Sequence, residues 1–210
     1  MVRYVLATLL FCVSFMGFSA QFVAGKDYEV LNKSSELDTV KGTVSVTEYF
    51  SFGCPWCYRL EPGLDTWAKR HQTKIYFKKT PVVFHKDWEY YAQAYYAAEA
   101  LSLSSTINPA LFKAILQEKR TLNNSQAMID FFIQHGVNPE TAKSAFTHSP
   151  SIDLSVKASM SSMTNDHISA VPAFVVNHQF KTDLQMAKTE KRLFAILDFL
   201  VTQSKTQKAS

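Results

Sequence analysis

Cysteine is scarce in this chain, with three in 210 residues. A structural zinc site needs four ligands, usually from two close pairs. Here Cys54 and Cys57 form one pair, and His71, His85, His135, His148, His167 and His178 are scattered without paired spacing. No metal site is expected, and the histidines read as surface or core polar residues. Charge of one sign is equally thin: the formal net charge is +4. This is too little to imply a nucleic-acid partner. Internal repeats and low-complexity tracts are lacking, which excludes repeat architectures.

One long apolar run stands behind Arg3, from Tyr4 to Phe18, and ends among the small residues Gly17, Ser19 and Ala20. It is shorter than the ~20 residues of a spanning helix and reads as a signal peptide over residues 1–19. Cys12 falls inside it, behind the bulky Phe11 where a lipidation signal wants a small residue. About 190 residues remain, enough for one domain of good core size or a domain carrying a large insertion. Two cysteines remain with them.

In an exported protein a cysteine pair usually reads as a structural staple. Residues three apart close a very short loop, however, and the entropic stabilisation from a bridge falls with loop length. A redox role is the better reading of Cys54-Pro55-Trp56-Cys57.

The stretch Thr43 to Phe50 is rich in β-branched and aromatic residues and predicts a strand. After the turn Ser51-Phe52-Gly53, the apolar positions Leu60, Leu64, Trp67 and Ala68 recur at helical spacing, so the cysteines open a helix. Pro62 and Gly63 predict a kink in it. A second strand is expected from Ile75 to Phe84. Residues from about 87 to 165 read as almost entirely helical, with helix starts at Asn108-Pro109, Ser125, Asn138-Pro139 and Ser149-Pro150. Strands return with Ala173 to Val176, a turn at Asn177-His178, and Gln179 to Lys181. A final helix is expected over Glu190 to Gln203. The order is that of an α/β thioredoxin fold with an inserted all-helical domain. The expected limits are 20–85 and 166–203 for the thioredoxin parts, 86–165 for the insertion and 204–210 for a flexible tail.

A cysteine at a helix N-terminus meets unpaired backbone N–H groups and the positive end of the helix dipole, which favour a thiolate. Cys54 is therefore the expected attacking sulfur and Cys57 the resolving one, with Pro55 supporting the helix start. Glu48, six residues earlier, would bring a carboxylate beneath the pair; a solvated strand end is the alternative. Alternation from Ile75 and Phe77 turns Lys79 inward as its partner, with Lys78 the other candidate.

Three stretches carry a resemblance: Ala20 to Tyr28, the run Glu48 to Tyr58, and Val171-Pro172-Ala173. They are similar to the DsbA family of periplasmic disulfide oxidases over nearly the whole mature chain. The resemblance implies a cis Val171–Pro172 bond facing the cysteines, with Val171 offering backbone hydrogen bonds to a substrate peptide and Pro172 shaping the groove. It implies no cofactor beyond the Cys54–Cys57 disulfide. It also implies unfolded or reduced exported proteins as partners, a DsbB-like membrane quinone reductase as reoxidant, and the periplasm as location. Trp56 departs from the pattern, since many members carry histidine there.

A disulfide isomerase or reductase is the close rival. Such proteins commonly dimerise through an added N-terminal domain, and about twenty mature residues precede the first long strand. From another class comes a peptide-binding adaptor or chaperone, using Tyr90, Tyr91, Tyr95 and Tyr96 as its surface; a helical aromatic stripe is more often core. A glutathione-conjugating enzyme is a third, weaker option.

Overall fold

The computed structural model describes residues 22–31 and 43–208, with side chains to residue 205. Residues 1–19, read above as a leader, lie outside the described residues, and Cys12 with them. In chain order come Glu29–Val30 (β1), Val44–Phe50 (β2), Pro55–His71 (α1) and Ile75–Pro81 (β3). The helical block follows: Lys86–Ala100 (α2), Ser104–Phe112 (α3), running into a π-helical turn over Lys113–Gln117, Ser125–Gln134 (α4), Pro139–Thr147 (α5) and Pro150–Asn165 (α6). The chain closes with Ala173–Val176 (β4), Phe180–Asp183 (β5), Leu184–Ala187 (α7) and Glu190–Lys208 (α8).

The five strands make one sheet in the order β1-β5-β4-β2-β3. β2 lies inside it between β4 and β3, with all seven residues buried, parallel to β3 and antiparallel to β4. Its even-numbered residues Val44 and Val46 face α1 and α8 and pack with Leu60, Leu64, Leu193 and Ile196. Tyr49 faces the other way, into a smaller cluster with Val82, Ile168 and Val175. The hairpin turns through Asn177 and His178, both left-handed at φ 51° and 56°, as a two-residue loop between twisted strands requires.

The helical block has its own core around Ile107, Leu111, Met128 and Phe132, which Phe50 and Phe52 join from the thioredoxin part. The tyrosines of α2 belong to it: Tyr91 and Tyr95 are buried, and the Tyr96 hydroxyl bonds Ser159. Tyr90 and Tyr96 are half-buried and pack against the same core, so the stripe is mainly core.

Several expectations are corrected. The third helix starts at Ser104, not Asn108-Pro109, because Ile107 is fully buried one turn before Leu111; that burial outweighs the single backbone bond Pro109 omits. The expected kink site at Pro62 and Gly63 does not end α1, which continues as one helix from Pro55 to His71. Gly63 serves close packing, since a Cβ there would overlap the Glu190 carboxylate and lie 3.0 Å from Phe194. β3 ends at Pro81, short of Phe84. The tail expected from Ser204 is instead helix to Lys208; Ser204 is buried and its hydroxyl donates to the Leu200 carbonyl at 2.8 Å. That internal bond lets a polar residue continue the helix. The short elements β1 and α7 were not anticipated.

Candidate active site

β2 ends at Phe50, and the chain turns so that the Cys54 amide bonds the Ser51 carbonyl at 3.0 Å. Cys54 is then the N-cap of α1, with Pro55 as the first helical residue. Its sulfur does what a capping oxygen usually does, accepting from the Cys57 amide at 3.1 Å. Both cysteines are unbridged thiols here. Cys54 is 5 % exposed and Cys57 is fully buried, so an incoming sulfur can reach only the first.

Their electrostatics diverge. A hydrogen bond from the Cys57 thiol lowers the Cys54 pKa; burial opposes this, and the Cys57 and Trp56 amides reinforce it. Burial raises Cys57 well above the usual thiol value, and its bond to Cys54 adds to that. One sulfur is thereby made the better anion and the other the better proton holder.

Beneath the pair, Glu48 of β2 is opposite Lys79 of β3 in the strand register, so both side chains leave the same face. Lys79 Nζ stands 3.2 Å from Glu48 Oε2, which selects Lys79 over Lys78. Burial pushes the Glu48 carboxyl up to about 7, against the attraction of Lys79. Burial would lower the Lys79 pKa, but Glu48 and Glu61 together hold it above its ordinary value. Glu61 was missed in the sequence reading: Lys79 donates to its Oε1 at 2.5 Å. Its position, one turn after Cys57 in α1, was the available signal.

Across from the cysteines the Val171–Pro172 bond is cis, and the Cys54 thiol faces the Val171 carbonyl at 3.5 Å. Val171, Pro172, Leu184 and Trp56 line a groove of about 460 Å³. Trp56 is 55 % exposed with the Arg59 guanidinium 5.5 Å over its ring. The helical block grips the other side: Phe112 packs against Phe52 and Tyr58 at 4.8 and 5.4 Å, and Gln117 donates to the Tyr58 hydroxyl at 2.6 Å.

Gly53 sits where this grip is tightest. A Cβ there would overlap the Trp88 indole nitrogen and lie 3.1 Å from Tyr91. Gly53→Ala is expected to lower stability by about 1–3 kcal/mol, because the Trp88 and Tyr91 rings must shift to admit the methyl group. An unchanged urea midpoint would show that Trp88 moves freely.

A sheet of this order with a thiol pair opening the helix after its buried strand β2, faced by a cis-proline, defines a thiol:disulfide oxidoreductase of thioredoxin fold. Residues 45–200 match the DSBA-like thioredoxin domain model, and the chain belongs to that family. It is similar to the thiol:disulfide interchange protein DsbA of Burkholderia cepacia, 34% identical over 185 residues, 88% of this chain and 87% of the relative. The DsbA of Pseudomonas aeruginosa PAO1 is 26% identical over 204 residues, 96% of each chain. A crystal structure of Pseudomonas aeruginosa DsbA superposes with TM-score 0.84 at 25% identity, over 90% of this chain and 97% of that one. Among the described residues, no group of three or more His, Cys, Asp or Glu could hold a metal ion, and no helix is long and apolar enough to cross a membrane.

Proposed function

We propose that Cys54 and Cys57 carry a disulfide that this oxidoreductase donates to reduced, exported proteins in the periplasm. The observation that supports the direction is the opposite bias of the two sulfurs. A substrate thiolate attacks Cys54 Sγ, the Cys54–Cys57 bond breaks, and Cys57 leaves and takes up a proton. In this reading Glu48, whose carboxyl burial pushes up to about 7, supplies it. A second substrate thiolate then attacks the substrate sulfur of the mixed disulfide and expels Cys54 as a thiolate. The substrate loses two electrons, and the cysteine pair gains them. A low-pKa leaving thiol speeds that last step and stabilises the reduced form.

Val171 offers its backbone to an extended substrate chain, Pro172 shapes the groove beside it, and Trp56 adds an apolar platform. A DsbB-like membrane quinone reductase would restore the disulfide, and the leader over 1–19 would deliver the protein. The site needs no cofactor beyond its own disulfide.

Equilibration of the mature protein with a glutathione buffer tests the oxidase reading. A potential near about −120 mV, typical of DsbA-type oxidants, is expected; about −270 mV, typical of thioredoxin, would overturn it in favour of a reductase. Trp56 tunes the value. Trp56→His places a cationic or donating ring beside Cys54 and is expected to lower its pKa; each unit makes the protein more oxidising by ~30 mV. Coincident thiolate-absorbance titrations of the two proteins would refute that effect.

A further inference from the structure

The segment over residues 166–172, which leads from α6 to β4, carries the Val171 carbonyl to the Cys54 thiol. Ile168 is buried against the sheet beside Tyr49, but the stretch beyond it is open: Ser169 is exposed, and Ala170 and Val171 are half-buried. The placement of that stretch therefore depends on what holds the segment on either side of it. One end continues into β4. At the other end two buried side chains meet it from different strands.

Tyr49 is the residue after Glu48 in β2, so it leaves the opposite face of the sheet. It is fully buried, and its hydroxyl donates to Asp166 Oδ2 at 2.5 Å. The same hydroxyl stands 2.5 Å from Ser162 Oγ in α6. Lys181 of β5, 8 % exposed, donates to the His167 carbonyl at 2.9 Å and pairs with Glu29 at 2.8 Å. His167 between these anchors is left-handed at φ 52°.

We propose that Tyr49 and Lys181 are positioning residues for disulfide exchange: they set where the Val171 carbonyl stands relative to Cys54, and so where a substrate backbone docks. β2 then controls both walls of the site, since it runs into the Cys54 turn and Tyr49 holds the facing loop. The inference rests on the exchange reading above. A purely structural role would change stability without distinguishing one thiol substrate from another.

The test compares two thiols reacting with the oxidised protein. 2-Mercaptoethanol has no peptide backbone to dock; a ten-residue cysteine peptide has one. In Tyr49→Phe and in Lys181→Met, each shown to be folded by near-ultraviolet circular dichroism, peptide exchange is expected to slow by roughly 5- to 20-fold. This is the scale of a sub-ångström misplacement. Exchange with 2-mercaptoethanol should stay within about twofold, because that thiol makes no use of the loop. Asp166→Asn keeps an oxygen to accept from Tyr49 and should retain the peptide rate. Peptide and small-thiol rates that change together, or that both stay put, overturn the proposal. A wild-type protein inert to 2-mercaptoethanol would instead defeat the exchange reading itself.

Discussion

Cys57→Ser protein mixed with a disulfide-bonded peptide is expected to accumulate as a covalent adduct on Cys54. In the wild-type protein the Cys54 thiolate attacks the peptide disulfide, one peptide sulfur leaves as a thiolate, and a mixed disulfide forms. Cys57 then attacks Cys54 and releases the second peptide sulfur. Serine at 57 cannot take that step, so the adduct should persist at least about 100-fold longer, given that a hydroxyl is not a competent nucleophile here. Cys54→Ser should form no adduct, because Cys57 is fully buried and burial keeps it protonated. Mass spectrometry of the quenched, non-reduced proteins reads both results. An adduct on Cys57 in the Cys54→Ser protein would reverse the assignment of attacking and resolving sulfurs.

Glu48→Gln should make the reduced protein more stable at pH 8, and the gain should vanish at low pH. The Glu48 carboxyl titrates near 7 in the fold against an ordinary 4.5. Between those values the unfolded chain has released its proton while the folded one still holds it. A carboxyl raised in this way contributes stability below its unfolded pKa and loses it as pH rises through the folded one. The loss approaches about 3 kcal/mol for an isolated group, and the pairing with Lys79 is already contained in the value near 7. Glutamine is neutral throughout, and Lys79 keeps Glu61 at 2.5 Å, so no buried cation is orphaned. The stability difference between the two proteins, from urea unfolding at pH 4.5, 6 and 8, should grow from near zero to about 1–3 kcal/mol. The same substitution should lower the Cys54 pKa, since the Glu48 charge raises it. A variant less stable at pH 8 would mean that the ion pair outweighs the cost of its burial.

Local chemistry made much of the architecture legible. Asn138 and Ser149 stand before prolines, and α5 and α6 begin there, because a fixed proline φ and a missing N–H suit the first helical position. Asn177-His178 turned the last hairpin for a similarly local reason. The start of α3 misled, since Asn108-Pro109 carries the same signal inside a helix that Ile107 burial extends upstream. The end of α8 misled in reverse: Ser204 looks like a tail and is packed and internally bonded.

The site divides along the same line. Cys54-Pro55-Trp56-Cys57 is contiguous, so a strand feeding a helix at that point already implied which sulfur would be the better anion. Sequence alone thus determined the fold class, and it pointed to the pair proposed to react and to a different role for each sulfur. Which groups surround that pair was decided by tertiary structure: Lys79 over Lys78, Glu61 as a second carboxylate, Tyr49 bonded to Asp166 from 117 residues away. The reason is burial. A helix terminus acts on a sulfur through its own backbone, whereas an ionisable side chain gains its potency from the water that distant segments exclude, and no local pattern records which segments those are.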